Sequence, residues 1–318
     1  MPSRIRSLHH VTATVDGAQE DVDFYAGLLG LRLVKKTVNF DNPRVYHFYY
    51  GNASGTPGTI MTTFPYRGKG VVTGRKGAGQ ITTTGFSVPA GSFDVWRRRL
   101  AERGVPVREG SPRFGEEVLG FEDPSGLRIE LIGTEHDRRD PWLTAEIDPG
   151  FAIRGIHSLE LTLADPALSI AFLTGLLGFS PLDQGGNRIR LGVSEGGPGR
   201  MLDLVTAPDA PAALNGLGTV HHLALAVASA QEQLDYREEV LRLGVPVTKV
   251  LDRQYFQSIY FREPGGVLLE IATIPPGFLV DEEPDRLGQG LKLPPWEEPN
   301  RAWIEAGLPA ISEPRGVP

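Results

Sequence analysis

The chain repeats itself, and that repeat constrains its fold more than any other feature. Phe24-Tyr25-Ala26-Gly27-Leu28-Leu29-Gly30 recurs as Phe172-Leu173-Thr174-Gly175-Leu176-Leu177-Gly178, 148 residues on. Gly104-Val105-Pro106-Val107 recurs as Gly244-Val245-Pro246-Val247, 140 residues on. The stretch Phe121-Glu122-Asp123-Pro124 through Glu130 returns at the same spacing as Phe261-Arg262-Glu263-Pro264 through Glu270. Three matches in one order at nearly one spacing mark a tandem duplication. A charged, turn-rich stretch from Asp137 to Gly150 separates the copies. The expected divisions are 1–140, 151–276 and a C-terminal extension over 277–318.

Each half divides again. Alternation with β-branched residues predicts a strand over 7–15, and the apolar spacing predicts a helix over 19–30 stopped by Gly30. Strands are expected over 31–36, 44–50 and 58–64. The second unit repeats that order, with a strand at 80–88, a helix at 91–103 ended by Gly104, and strands near 105–109, 115–121 and 127–133. Units over 155–206 and 219–274 follow the same plan. The expectation is an α+β fold of four βαβββ modules. With 39 glycines and 26 prolines, the 318-residue chain has the turns that such short elements need.

Composition narrows the chemistry. No cysteine means no disulfide, no thiolate nucleophile and no thiolate-bound zinc or iron–sulfur cluster. Histidine and carboxylate remain as the strong metal ligands. A net charge of -7 argues against nucleic acid or an anionic membrane as the main partner. Met1-Pro2-Ser3-Arg4-Ile5-Arg6 lacks the apolar stretch of a signal peptide, and no apolar run is long enough to span a bilayer. A cytoplasmic protein is expected, acting on a small molecule.

Four of the seven histidines form two adjacent pairs, His9-His10 and His221-His222. In a regular strand, neighbours point to opposite faces. His9 then goes with Val11, Ala13 and Val15, and His221 with Leu223, Leu225 and Val227, both apolar sets suited to packing. His10 shares its face with Thr12 and Thr14, and His222 with Ala224 and Ala226, which leave room for a ligand. Glu270 is a carboxylate within the apolar strand Val267-Leu268-Leu269-Glu270-Ile271-Ala272. Buried unpaired, it would cost several kcal/mol without a cation or donor. Two imidazoles and one carboxylate make a set suited to Fe(II) with open coordination positions. The bland alternative is that a strand histidine serves packing or the surface, and His47, His136 and His157 are read that way. Glu130, the counterpart of Glu270, is expected to pair with Arg128 or another arginine.

The sequence resembles the vicinal oxygen chelate superfamily, and within it the hydroquinone-type ring-cleaving dioxygenases. The likeness runs through Leu8-His9-His10-Val11-Thr12, Lys35-Lys36-Thr37-Val38, Gly55 to Pro65, Arg113-Phe114-Gly115, His221-His222, Tyr260 to Glu270, and Gly277-Phe278 with Asp281-Glu282. It implies two glyoxalase/dioxygenase-like domains built from the four modules. It makes His10, His222 and Glu270 the Fe(II) ligands, with manganese or zinc able to replace iron on purification. It sets Thr12, His9, His221, Arg253 and Tyr260 around them. His221 or His9, titrating near neutrality, would move a proton, and Tyr260 and Arg253 would hydrogen-bond a developing oxyanion. Phe64, Phe256 and Phe278 are available as aromatic walls. The implied substrates are a hydroquinone or catechol and dioxygen, and a homo-oligomer is left open.

Two rivals share the modules: a glyoxalase-type lyase or isomerase with two histidines and two glutamates around zinc or nickel, and a non-enzymatic drug-binding protein. The duplication bears on both. The third-module counterpart of His10 is Ser158, and the second-module counterpart of His222 falls at about Thr82. One metal site per chain is therefore expected, joining the first module to the fourth.

Overall fold

A computed structural model of the chain describes residues 4–314. Met1 to Ser3 of the N-terminal stretch, and the last four residues of the 277–318 extension, lie outside the described residues. The first module runs β1 (Ser7–Val15), α1 (Ala18–Val22, continued by a π-helical stretch Asp23–Leu28), β2 (Arg32–Asn39), β3 (Asn42–Gly51) and β4 (Ile60–Pro65). The second runs β5 (Gln80–Val88), α2 (Phe93–Glu102), β6 (Arg108–Arg113), β7 (Glu116–Glu122) and β8 (Arg128–Gly133). The third has β9 (Gly155–Leu163), α3 (Ala167–Gly175), β10 (Phe179–Gly185), β11 (Arg188–Val193) and β12 (Met201–Thr206). The fourth has β13 (Thr219–Val227), α4 (Ala230–Arg242), β14 (Leu251–Asp252), β15 (Gln257–Arg262) and β16 (Leu268–Thr273). These are the four βαβββ units of an α+β fold. The expected strand near 105–109 starts later, at Arg108, because Gly104 to Val107 form the turn that leaves α2.

The modules pair out of chain order. One curled sheet has the order β14-β15-β16-β13-β1-β4-β3-β2, joining the fourth module to the first. The other has the order β10-β11-β12-β9-β5-β8-β7-β6, joining the third to the second. The joints are the antiparallel pairs β1–β13 and β5–β9. Leu8, Val11, Ala13 and Val15 of β1 enter one large core with Val22, Phe24 and Leu28 beneath them. The opposite face of the first sheet carries a separate apolar cluster that includes Val34, Tyr49, Ile60, Ala224, Phe256 and Phe278.

The extension is part of this fold. Lys35 on β2 is fully buried, and its ammonium is bonded to Asp281 (2.5 Å) and Glu282. Tyr255 donates its hydroxyl to Asp281 (3.1 Å) and puts its ring 5.0 Å from the Lys35 ammonium. A buried ammonium without such partners would cost several kcal/mol. Further along, a Cβ at Gly288 would fall 1.8 Å from the Leu33 carbonyl, so glycine lets the extension lie flat on β2. The short helix α5 (Arg301–Gly307) follows. Among the described residues, no helix is long and apolar enough to cross a membrane.

α1 is tied to its sheet by a buried acid. Asp21 accepts hydroxyl hydrogen bonds from Tyr50 (2.7 Å) and Thr63 (2.5 Å). Burial pushes its carboxyl up to about 8, against the pull of those two donors. A raised acid favours the folded state fully below its unfolded value, and that contribution is lost as pH climbs through the folded one. The contribution of Asp21 to thermal stability should therefore decline from about pH 4 towards pH 8. Asp21→Asn should flatten the decline, so that its melting temperature relative to the unaltered protein improves by about 5 °C across that range. Parallel slopes for the two proteins would contradict the assignment.

Candidate metal centre

The joint between β1 and β13 decides which side chains meet. On β1, Leu8 faces Leu225 and His10 faces Ala224, leaving His9 as an extra residue. On β13, His222 faces Thr12 and Val220 faces Ala13, leaving His221 extra in the same way. Each is a β-bulge, which re-aims side chains next to functional sites. The bulge shifts the alternation by one, so Leu8 and Val11 both enter the core. The expected packing of His9 and His221 with the apolar face is thus corrected. His9 instead lies with its ring 4.9 Å from that of Phe256, and His221 opens onto a cavity.

Across this joint the His10 and His222 Nε2 atoms are 3.3 Å apart. Glu270 stands opposite Ala224 on the neighbouring β16, and its Oε2 is 2.8 Å from His222 Nε2 and 3.3 Å from His10 Nε2. Among the described residues, these three are the group of histidine and carboxylate donors close enough to share one ion, all within 4.8 Å of one another. All three are buried. Burial pushes the Glu270 carboxyl up, but the two imidazoles outweigh it and hold it well below the usual range. Its Oε1 accepts from the Ser258 hydroxyl, whereas Oε2 has no aligned hydrogen-bond donor. A buried carboxylate oxygen aimed, without a hydrogen bond, at two imidazole nitrogens fits a divalent cation.

The second member of each pair supports the first. His9 Nδ1 lies 2.9 Å from His10 Nδ1, and His221 Nδ1 lies 2.8 Å from His222 Nδ1. An imidazole offering its Nε2 lone pair carries its proton on Nδ1, and here that proton points at a neighbouring Nδ1 acceptor. Burial, with repulsion from the adjacent imidazole, pushes both His9 and His221 down to about 3. They are neutral acceptors.

A cavity of about 400 Å³ opens over the donors. His221, Phe64, Arg253 and Tyr260 line it, and Phe256 forms part of its wall. Arg253 donates to the Tyr260 hydroxyl (3.2 Å) and to Asp41 (3.1 Å). Thr12 is fully buried and accepts from Thr62 (2.9 Å), and it is Thr14 that reaches the cavity. Phe278 packs behind, against Tyr49 and Tyr255.

His47, which the sequence alone reads as packing or surface, lines the cavity. Its Nδ1 accepts from the Tyr49 hydroxyl (2.9 Å), and Nε2 is 2.9 Å from Thr62 Oγ1, which donates on to Thr12. The signal was in the alternation of β3: Phe48 and Tyr50 go to the core, so His47 and Tyr49 face the other way. Ser258 was legible likewise, two residues before Tyr260. His136 is exposed. His157 is buried, bonded to Ser158 (3.1 Å) and Glu116 (2.9 Å).

The second sheet has the same joint without the donors. Its bulges fall at Thr82 and His157, so Thr83, opposite Glu160, takes the place of His222. The expected counterpart Thr82 is off by that one residue. Glu130 pairs with Arg113, while Arg188 holds Glu160 (2.5 Å) and Arg190 holds Asp203 (2.7 Å). Arginine neutralises there what the first sheet leaves open.

The chain matches the Glyoxalase/Bleomycin resistance protein/Dioxygenase superfamily over residues 7–131 and 155–271, and it belongs to that family. It is 42% identical over 310 residues to the "Putative ring-cleaving dioxygenase MhqO" of Bacillus subtilis (strain 168), covering 97% of each chain. It is 39% identical to a chlorohydroquinone/hydroquinone 1,2-dioxygenase of Sphingobium indicum, covering 93% of each. The crystal structure of a putative dioxygenase from B. subtilis superposes with a TM-score of 0.93 at 41% identity over 99% of both chains. Glyoxalase I from Zea mays shares the fold alone, with a TM-score of 0.62 at 15% identity, over 84% of this chain and 92% of that one.

Removing the carboxylate should weaken metal most. Glu270→Gln is expected to lower the affinity for a divalent ion, read by calorimetry, by more than about 100-fold. His221→Phe should cost roughly 10–100-fold by freeing the His222 ring. His136→Ala should change nothing. Equal affinity in all three proteins would remove the site.

Proposed function

We propose that the chain is a cytoplasmic, Fe(II)-dependent ring-cleaving dioxygenase that opens a hydroquinone-type ring with dioxygen by extradiol-type chemistry. The observation that carries this reading is the buried cluster of two imidazoles and one carboxylate beneath an aromatic-walled cavity. The hydroquinone named for the Sphingobium relative favours that ring class over a catechol. A glyoxalase-type set would need a second carboxylate, and the cluster has one. A drug-binding protein would have no use for a buried carboxylate oxygen without a hydrogen bond.

A redox-active divalent ion held by His10, His222 and Glu270 would supply acidification of an aromatic hydroxyl and electron transfer to dioxygen. The chain does the rest. Phe64 and Phe256 give the ring apolar surfaces and keep water from it. Arg253 donates to the Tyr260 oxygen and so holds the tyrosine hydroxyl in place on the cavity wall. Burial and the Glu270 charge raise the Tyr260 pKa, so the tyrosine keeps its proton. His221 accepts from His222 through Nδ1 and so carries its own hydrogen on Nε2, on a ring that lines the cavity. Tyr260 and His221 are thus preorganised donors for negative charge as it develops on oxygen. His9 acts through His10.

Oxygen uptake by anaerobically iron-loaded protein, offered a panel of hydroquinones and catechols, tests the reading. Uptake with a hydroquinone and a ring-opened product are expected. No uptake with any member at full iron occupancy would overturn it. Tyr260→Phe should lower kcat about 100-fold with a much smaller change in KM.

A further inference from the structure

The strands that build the cavity also build a second opening behind it. β1 and β4 run parallel, and β13 and β16 run antiparallel to β1. The front cavity takes Thr14, Phe64, His221 and Leu268 from one end of these four strands. A rear pocket of about 470 Å³ takes His9, Pro57, Ala228 and Ile274 from the other end. Phe256 lines both. Its ring centroid is 5.2 Å from that of His10 and 4.9 Å from that of His9, so one phenyl ring and one imidazole separate the rear pocket from the donor cluster.

The two openings differ in chemistry. Arg253 and Asp41 put charge on the front lining. The rear lining holds no charged side chain, and Ile274, Pro275, Pro276, Phe278 and Leu279 make it largely hydrocarbon. An aromatic ring seated in the front cavity would stand between the donors and the solvent on that side. A second reactant that must follow it needs another path, and dioxygen is small, uncharged and apolar. We propose that the rear pocket is the access route for dioxygen, with Phe256 as its gate. This rests on the dioxygenase reading above.

The gate is held by a tight turn. Gln254 has a left-handed backbone (φ +62°), the Tyr255 N–H donates to the Arg253 carbonyl (2.6 Å), and the Arg253 N–H donates to the Phe256 carbonyl (2.9 Å). The turn sends Arg253 into the front cavity and leaves Phe256 in the wall between the two spaces. A change of the Phe256 rotamer would be the motion that joins them.

Xenon, an apolar gas that occupies hydrocarbon-lined cavities, is the probe. Crystals of the unaltered protein under xenon should show it in the rear pocket against Phe256. Ala228→Trp and Ile274→Trp fill that pocket from exposed positions away from the donors. Each should abolish xenon binding and raise the KM for dioxygen roughly fivefold, with kcat at saturating dioxygen and the KM for the aromatic unchanged. Xenon confined to the front cavity, or an unchanged KM for dioxygen in both variants, would overturn the route. No oxygen uptake by the unaltered protein would instead overturn the dioxygenase reading, while xenon would still report whether the rear pocket takes an apolar gas.

Discussion

The pairing of β1 with β13 is the contact on which the site depends. Neither module holds a metal set by itself: the first has His10, and the fourth has His222 and Glu270. Antiparallel pairing through Leu8–Leu225, His10–Ala224 and Thr12–His222 brings them across one strand boundary. The two bulges make that pairing productive. Each gives its strand one extra residue, and that residue is a histidine whose Nδ1 meets the Nδ1 of its neighbour. The geometry that supplies the donors therefore also supplies their supports, at 2.9 and 2.8 Å.

The module plan was legible because duplication and alternation are both properties of sequence spacing. Strands over 7–15 and 80–88 are visible from alternation and β-branched residues, the small neighbours of His10 and His222 single out their face, and Glu270 stands out as a carboxylate in an apolar strand. The bulges were not legible, since a bulge is a relation between two strands and leaves no mark on either alone. That is why His9 and His221 were assigned to the wrong face, and why the counterpart of His222 was placed at Thr82 instead of Thr83. His47 escaped notice for another reason. Its partners Tyr49, Thr62 and Thr12 lie on three strands, and only their assembly shows the hydrogen-bonded row.

The two sheets show how one framework carries charge in two ways. In the second, Glu130, Glu160 and Asp203 are each matched by an arginine, and the centre is electrically closed. In the first, Glu270 meets two imidazoles and a serine hydroxyl and no arginine pairs with it among the described residues, so the place of the cation is left to a metal ion. The backbone joint is the same in both, bulges included. Fold and site are therefore separable: the joint persists where the donors have been replaced.

The clamp on Lys35 bears on how the chain comes together as it is made. The second sheet is contiguous, from Gln80 to Thr206, and is complete once those residues have emerged from the ribosome. The first sheet is built from both ends of the chain. β1 waits for β13, and the Lys35 ammonium waits for Asp281 and Glu282, almost 250 residues later. The strands around Lys35 thus gain their counter-charge only when a segment almost 250 residues further along is in place. Closing the first sheet therefore requires contacts of far longer sequence separation than closing the second.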